Sequence, residues 1–272
     1  MKIIADGGST KTTWQLTCDD NTTSIILTQG INPFHQTIEN IRDIIYHELV
    51  SVDGFPATDK VDEIYFYGAG CTKELSPQLA SLLHGFFHKA TIEVGSDMLG
   101  AAKALFGTKE GIACILGTGA NSCHYDGEKI TSNVSPMGYI LGDEGSGAVI
   151  GRTFINLLYK DNHPGDKELF EKEFNTTITD VIDNVYRKPM PNRYLASFAP
   201  YIKSISNTPW VREMLIDCFR LFFKRNVTHY RRQDLPCSFV GSIAYSFENE
   251  LRQAAKKEGF HIEKIMKAPI EC

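Results

Sequence analysis

Two short turns rich in glycine, serine and threonine, each entered from an apolar strand, constrain the fold of this chain most strongly. The first spans residues 6–12 after a strand at 2–5, and the second spans 117–122 after a strand at 112–116. In both places the chain resumes as another strand, so each turn is predicted to close a hairpin. A strand–turn–strand unit that opens each half of the chain favours a duplicated domain.

The rest of the chain supports an α/β protein. Strand and helix signals alternate through the first half: strands at 2–5, 13–17 and 24–28, a helix at 37–50, a strand at 63–67, a helix at 75–89, a strand at 91–94 and a helix at 97–106. The second half is mostly helical from residue 148, with a last clear strand at 238–240 and a helix at 243–257. We expect two domains, at residues 1–110 and 111–272.

Charge and cysteine content exclude several classes of protein. The 28 Lys and Arg residues against 33 Asp and Glu give a net charge of −5, which disfavours a general nucleic-acid or anionic-membrane surface. No apolar stretch approaches the roughly 18 residues of a membrane helix. The seven cysteines are odd in number and form no C-x-x-C pair, which is typical of reduced thiols. We therefore expect a cytoplasmic protein with no membrane segment.

The two turns have the composition of phosphate-binding loops. Glycines let the backbone approach a ligand, and successive N–H groups with hydroxyl side chains form a concavity that suits phosphate. Neither turn is a Walker A loop, and in the second turn Ser122 stands where a dinucleotide fingerprint needs its third glycine. One such turn alone is typical of an ordinary hairpin. A matching pair, one of which begins with an acid, favours phosphate binding.

Four segments, taken in order, resemble the motifs of the actin–hexokinase superfamily. Residues 6–12 resemble its first phosphate motif, 117–122 its second, and 239–244 its adenosine motif. The sequence G-D-E-G-S at 142–146 is similar to a segment of the branch that holds the N-acetylglucosamine kinases and the BadF/BadG-type ATPases. This resemblance implies two ribonuclease-H-like α/β domains of the actin/hexokinase type, with ATP bound in the cleft between them.

Asp97 is the candidate general base. It follows a strand and begins an Ala-rich helix, so the residues alone predict a helix N-cap. The resemblance implies that this carboxylate takes the proton from a sugar hydroxyl as the hydroxyl attacks the γ-phosphate of ATP. The two roles are compatible, because a helix N-terminus stabilises a carboxylate in its ionised form.

Asp6 and Asp143 are the candidate ligands of Mg²⁺. This ion prefers oxygen ligands and keeps several waters, so one or two carboxylates beside a phosphate suffice. Both aspartates also lie in glycine-rich turns, where an Asp commonly caps its own backbone. Asp143 could instead contact the sugar, and the sequence does not separate these roles.

The resemblance further implies two sets of ligand-binding residues. The nucleotide and its phosphates would be bound by Gly7, Gly8, Ser9, Thr10, Lys11, Thr12, Gly117, Thr118, Gly119, Gly241 and Ser242. The sugar would be bound by Asn32, Cys71, Asn121, Gly138 and Asp143. Simpler interpretations exist for three of these residues: a solvated hairpin lysine for Lys11, a plain turn for Asn32 before Pro33, and packing for Cys71.

The favoured function is an ATP- and Mg²⁺-dependent kinase for an amino sugar, N-acetylglucosamine, phosphorylated on its 6-hydroxyl. One alternative is a BadF/BadG-type ATPase without sugar kinase activity, which needs a cysteine-ligated iron–sulfur cluster. Another is a non-catalytic sugar-sensing regulator. The expected partner is a small sugar and not nucleic acid, because the basic residues between 224 and 232 are typical of a solvated helix face. The sequence leaves open whether the protein forms a homodimer.

Overall fold

The computed structural model describes residues 1–8, 11–161 and 163–270. The chain divides into two compact units. Within the described residues, unit 1 consists of the chain up to Ala104 together with Pro269 and Ile270, and unit 2 is the chain from Leu105 to Ala268. Each unit contains one five-stranded sheet with helices packed against it. The fold class is therefore α/β, as the sequence predicts.

The elements of unit 1 are β1 (Lys2–Gly7), β2 (Lys11–Thr17), β3 (Thr23–Gln29), α1 (Ile38–Ile45), β4 (Glu63–Gly68), α2 (Ser76–Phe86), β5 (Thr91–Ser96) and α3 (Asp97–Phe106), the last of which ends inside unit 2. Those of unit 2 are β6 (Gly111–Leu116), β7 (Ala120–Tyr125), β8 (Ile130–Asn133), α4 (Gly138–Leu141), α5 (Gly147–Lys160), α6 (Pro164–Phe174), α7 (Ile178–Tyr186), α8 (Pro191–Ala196), α9 (Ala199–Ser204), α10 (Pro209–Arg225), β9 (Cys237–Val240), α11 (Ser242–Ser246), α12 (Glu248–Lys257) and β10 (Ile262–Met266). A π-helical turn (Tyr46–Val50) extends α1, and short 3₁₀ helices occupy Thr58–Lys60 and Val227–Tyr230.

The two sheets have the same topology. Their strand orders are β3-β2-β1-β4-β5 and β8-β7-β6-β9-β10, with three antiparallel strands followed by two parallel ones. Both hairpins predicted from the glycine-rich turns, β1–β2 and β6–β7, are confirmed. This repeated order is the ribonuclease-H-like arrangement that the resemblance implies, and it establishes the duplication that the sequence only suggests.

The core of unit 1 lies on one face of its sheet. Alternate residues of β1 point to this face, where Ile3 and Ala5 are buried together with Trp14 of β2 and Phe66 of β4. Helices α1 and α2 cover the face with their apolar sides. The other face of β1 therefore presents Lys2, Ile4 and Asp6.

The core of unit 2 is larger and rich in aromatic residues. Strand residues such as Leu116 and Phe239 pack with α5, α10 and α12, and Phe222 and Phe223 are fully buried. Their rings lie 5.9 and 5.8 Å from the ring of Phe239, close enough for favourable edge contacts. This core holds β6 and β9 together at the end of the sheet where the glycine-rich turns emerge.

The structure departs from the sequence prediction at three places. Strand β8 was not predicted, and β10 follows what the sequence indicates as the last strand and pairs with β9 in parallel. Glu263 and Lys264 interrupt its apolar residues, so β10 gives no clear periodic signal. The single helix expected at 243–257 is two helices, divided at the buried Phe247.

In the part of the chain that the structure describes, no helix has the length and apolar character to span a membrane.

A buried hydrogen bond in unit 1 provides a test of its packing. The indole Nε1 of Trp14 donates to Oγ1 of Thr28 at 3.1 Å, and both side chains are buried. Thr28→Val keeps the shape but leaves the indole N–H without this acceptor, so we expect unfolding free energy to fall by about 1–3 kcal/mol. Thr23→Val, on the exposed start of the same strand, should change it by less than about 0.5 kcal/mol. Urea denaturation followed by tryptophan fluorescence measures both, and equal effects would contradict this account.

Candidate active site

Asp6 and Asp97 lie close together in unit 1. Asp6 is next to the last residue of β1, in register with Tyr67 of β4, on the face opposite the apolar core. Asp97 begins α3 directly after β5, without an intervening loop. Both carboxylates line one cavity of about 340 Å³, and they are close enough for the charge of Asp97 to act on Asp6.

Burial disfavours the charge on both carboxylates. Desolvation, followed by the nearby charge of Asp97, raises the pKa of Asp6 from 3.8 to about 6, and Lys11 partly offsets this rise. Desolvation also raises the pKa of Asp97, while the backbone amide of Met98 acts in the opposite direction. A partly buried pair of acids with raised pKa values is typical of a functional site.

The N-terminus of α3 holds Asp97 in place. Its Oδ1 accepts a hydrogen bond from the amide of Met98 at 2.8 Å, and the amide of Leu99 donates to Oγ of Ser96 at 3.2 Å. Ser96 thus takes part of the capping role that the sequence predicts for Asp97. Oδ2 of Asp97 accepts no hydrogen bond from the described residues, so it remains available to accept a proton.

The first phosphate turn is described only in part, because Ser9 and Thr10 lie outside the described residues. The amide of Gly8 donates to the carbonyl of Lys11 at 3.0 Å, which closes the hairpin. Gly7 is needed for close packing, since a Cβ there would lie 2.6 Å from the ring of Phe66. Thr12 is fully buried, and its Oγ1 accepts from the amide of Ile31 at 3.0 Å. Its hydroxyl therefore has a partner in the fold.

Asn32 and Cys71 lie in loops at the same end of the unit 1 sheet. Asn32 is buried, and its Oδ1 accepts from the amide of Phe34 at 3.0 Å. The backbone of Gly70 approaches this amide group so closely that a Cβ there would overlap it. Burial, helped by the charge of Asp97, raises the pKa of the Cys71 thiol to about 12, so this thiol is unreactive and near the proposed base.

Unit 2 brings the second phosphate turn against the G-D-E-G-S segment. The carbonyls of Gly117 and Thr118 accept hydrogen bonds from the amides of Gly147 and Ala148, at 2.8 and 3.1 Å. Gly119 lies beside Asp143, whose Oδ2 would be 3.2 Å from a Cβ at that glycine. Two segments that are separate in sequence therefore form one local structure.

Asp143 is held in this structure by several bonds. Its Oδ1 accepts from the amide of Ala120 at 3.3 Å, and its own amide donates to the carbonyl of Pro136 at 2.8 Å. Its backbone has the left-handed value φ +52, which is uncommon for aspartate and concentrates at functional sites. Desolvation raises its pKa, against the lowering effect of the Ala120 amide. Glu144 beside it accepts from Nδ2 of Asn226 at 3.3 Å.

The adenosine motif lies next to the same turn. Gly241 has φ +126, and a Cβ there would lie 2.2 Å from the carbonyl oxygen of Leu116, so only glycine fits. Its amide donates to the carbonyl of Met266 on β10 at 3.0 Å. Ser242 is exposed at the start of α11. Strand β10, which the sequence did not reveal, therefore supports one of the predicted nucleotide residues.

The remaining sugar candidates differ in how firmly they are held. Oδ1 of Asn121 accepts from the amide of Ser122 at 2.9 Å and from Nδ2 of Asn133 at 2.8 Å, which fixes the orientation of the amide group. Its Nδ2 donates to no described residue. Gly138 is exposed and in a left-handed conformation, φ +74, at the start of α4.

The residues present suit Mg²⁺ better than a metal that needs a complete protein cage. Within residues 1–8, 11–161 and 163–270, no three His, Cys, Asp or Glu side chains form a metal cluster. Mg²⁺ is commonly bound through one or two carboxylates together with substrate phosphates. A cation would also offset the unfavourable burial of the charge on Asp6.

Sequence reasoning missed a group of residues beside Asp97. The hydroxyl of Tyr67 donates to Oε1 of Glu93 at 2.9 Å, and Nζ of Lys103 donates to the same hydroxyl at 2.9 Å. These residues come from β4, β5 and α3, so no local motif joins them. The sequence signal is limited to the spacing of three residues that joins Asp97 to Gly100 and Gly100 to Lys103 on α3.

Basic residues between 224 and 232 form ion pairs with acidic residues. Arg225 lies 3.6 Å from Glu144, Lys224 lies 3.7 Å from Glu258, and Arg232 donates to Glu110 at 2.8 Å. Lys224 and Arg225 are exposed in the last turn of α10, as expected for a solvated helix face, whereas Arg232 lies in the loop beyond the helix.

A solved structure matches this chain over nearly its whole length. The "Putative N-acetylglucosamine Kinase" from Porphyromonas gingivalis is 44% identical, with a TM-score of 0.91, and the match covers 99% of this chain and 95% of that one. This chain belongs to the N-acetylglucosamine kinase and BadF/BadG-type branch of the actin–hexokinase superfamily. The family resemblance of its motifs is thereby confirmed.

More distant structures share the sugar kinase fold. The "Putative N-acetylglucosamine Kinase" from Chromobacterium violaceum is 19% identical with a TM-score of 0.69, over 97% of this chain and 93% of that one. A ROK family glucokinase from Streptomyces griseus, in complex with glucose and AMPPNP, is 14% identical with a TM-score of 0.52, over 98% and 93% of the two chains. No protein-family model and no curated protein matches the sequence.

The raised pKa of Asp6 predicts that this residue lowers the stability of the fold. An acid with a folded pKa of about 6 and an unfolded pKa near 3.8 loses stability as pH rises through that interval, up to about 3 kcal/mol above pH 6. We therefore expect Asp6→Asn to be more stable than wild type at pH 8, with little gain at pH 4. Denaturant midpoints across this pH range measure the difference.

Asp126 provides a matched control, because its ionisation has the opposite effect on the stability of the fold. The amides of Glu128 and Lys129 donate to Asp126 and lower its pKa, so ionisation of Asp126 stabilises the fold. Asp126→Asn should lower the stability at pH 8 and have less effect at pH 4. A gain for Asp6→Asn that does not depend on pH would contradict the proposed charge burial.

Proposed function

We propose that this protein is an ATP-dependent kinase that transfers the γ-phosphate of ATP to the 6-hydroxyl of N-acetylglucosamine. The observation that carries the proposal is the pair of partly buried carboxylates, Asp6 and Asp97, on a scaffold that is 44% identical to a protein described as a "Putative N-acetylglucosamine Kinase". Sugar kinase activity with ATP is also what the wider set of structural relatives supports.

Asp97 is assigned as the general base. A carboxylate that accepts the hydroxyl proton must have a free oxygen, a fixed position and enough basicity. Oδ1 is held by the amide of Met98, and Oδ2 remains available. Burial raises the pKa, which makes the carboxylate a better proton acceptor, while the helix terminus limits the rise.

The phosphate contacts are assigned to the two glycine-rich turns. In unit 1 these are the backbone of Gly7 and Gly8, with Lys11, whose charge already acts on Asp6. In unit 2 they are the turn at 117–119 and the start of α11 at Ser242. Asp6 in unit 1 and Asp143 in unit 2 are each assigned as a candidate Mg²⁺ ligand, and the ion when bound would neutralise charge on the phosphate oxygens.

Asn121 is assigned to sugar binding on the strength of its orientation. Its Oδ1 accepts two hydrogen bonds from within unit 2, so its NH₂ group is directed away from these donors and can donate to a sugar oxygen. A donor fixed in advance loses little entropy on binding, which favours selectivity. Asn32 is more deeply buried and is assigned a supporting contact.

The ATPase alternative lacks support among the thiols. Of the six cysteines in the described ranges, five are buried and only Cys18 is exposed. An iron–sulfur cluster shared between subunits needs accessible cysteines from each subunit. The kinase proposal is therefore preferred.

A panel of sugars with ATP and Mg²⁺, followed by ADP release, tests the proposed substrate. N-Acetylglucosamine should give the highest rate, with glucosamine or another hexosamine second. Glucose and a reaction without sugar are the controls. ADP release at one rate with every sugar and with none would contradict the kinase proposal and favour an ATPase.

Asp97→Asn tests the assignment of the base. Asparagine keeps an Oδ1 acceptor for the Met98 amide but removes the basic oxygen, so the helix start should persist. We expect kcat to fall by about 10²- to 10⁴-fold, with nucleotide affinity retained. Ser96→Ala, which removes only the helix cap, is the matched control and should affect stability more than kcat. A near-normal kcat for Asp97→Asn would show that Asp97 only caps the helix.

A further inference from the structure

The face of the unit 1 sheet that carries Asp6 also carries Tyr67. Strands β1 and β4 are parallel, and the two residues are paired in register, so their side chains are neighbours. Tyr67 is 8% exposed, although it lies on the face away from the main apolar core. Helix α3, which begins with Asp97, covers this part of the sheet. Tyr67 is thus next to Asp6 on one side and beneath α3 on the other.

Helix α3 approaches Tyr67 through a glycine. Gly100 follows Asp97 by three residues, on the same face of the helix. A Cβ at Gly100 would lie 2.4 Å from Cβ of Tyr67 and 2.7 Å from its Cγ. Gly95 at the end of β5 also lies against the ring, with its Cβ position 3.2 Å from Cδ1. The ring of Tyr67 therefore determines how closely the first turns of α3 approach the sheet.

The outer end of Tyr67 is also fixed. Its hydroxyl donates to Oε1 of Glu93 and accepts from Nζ of Lys103, and Lys103 also donates to Glu93. Lys103 lies on the same helical face as Gly100, one turn further along α3. The helix is therefore in contact with Tyr67 at two successive turns, by packing at Gly100 and by hydrogen bonding at Lys103.

We propose that Tyr67 is a positioning residue for phosphoryl transfer: its ring, packed against Gly100, fixes α3 on the sheet and so determines where Asp97 stands relative to Asp6. The proposal rests on the proposed function, in which these two carboxylates act on the same reaction. A base misplaced by about 1 Å can cost about a hundredfold in rate. The contact at Gly100 therefore acts on kcat, although neither residue needs to touch a substrate.

Gly100→Ala tests the proposal with a matched control. The added methyl group has no space beside Tyr67, so α3 and Tyr67 must move apart, which we expect to displace the start of α3. We expect kcat to fall about tenfold or more, while KM for ATP and for the sugar changes less than about threefold. Gly85→Ala makes the same change in α2, where no atom lies within 4 Å of the new Cβ, and should leave kcat unchanged.

Substitutions of Tyr67 separate its ring from its hydroxyl. Tyr67→Phe keeps the ring against Gly100, so it should retain at least about a third of kcat. Tyr67→Leu removes the ring and should lose kcat about tenfold or more, with the same small change in KM. An equal loss in both variants would assign the effect to the hydroxyl and would overturn the proposal.

Hydrogen exchange followed by mass spectrometry tests the same contact without reference to activity. In Gly100→Ala and Tyr67→Leu, peptides that cover residues 96–100 should exchange faster, while peptides from α2 should exchange as in wild type. Equal acceleration in both regions, or wild-type exchange and kcat in Gly100→Ala, would overturn the positioning role. If the wild type phosphorylates no sugar, the proposed function fails, and exchange alone decides whether Tyr67 positions α3.

Discussion

The burial of two like charges beside each other is the constraint on which the site in unit 1 depends. Burial makes ionisation of both Asp6 and Asp97 costly where the fold places them, and the charge of Asp97 further disfavours the charge of Asp6. The fold maintains this arrangement because β1 and β5 are fixed by the apolar core on the opposite face of the sheet, while α3 packs through Gly100 against Tyr67 on the face that carries Asp6. The buried charges lower the stability of the folded state, but they leave a carboxylate of raised pKa, Asp97, next to a candidate cation ligand, Asp6.

Unit 2 has the same sheet order as unit 1 but different chemical groups at its turn. Its glycine-rich turn is bonded through Gly117 and Thr118 to the start of α5, and Gly241 packs on Leu116 just before the turn. Backbone amides and one aspartate, Asp143, dominate this region, where unit 1 has two carboxylates. A duplicated fold thus presents two chemically distinct turns, as expected when one copy contributes acid–base chemistry and the other mainly binds a nucleotide.

Local patterns predicted the elements that carry the motifs. The hairpin turns, the strand before Asp97 and the Ala-rich helix after it are short-range features, and the structure confirms them. Strand β10 was not predicted, because its apolar residues do not alternate with polar ones as in a half-buried strand. The contact between Tyr67 and Gly100 could not be predicted, because it joins a strand and a helix 33 residues apart. Gly100 alone indicates only a position that lowers helix stability. Pairing partners of this kind are determined by tertiary packing and leave no local signal.

The most direct test of the central claim is to identify the phosphorylated product. Phosphorus NMR of a mixture of the protein, ATP, Mg²⁺ and N-acetylglucosamine distinguishes a sugar phosphate ester from inorganic phosphate. We expect an ester on the 6-oxygen to appear in proportion to the ATP consumed, with no inorganic phosphate accumulating. Inorganic phosphate formed at the same rate with and without sugar would contradict it.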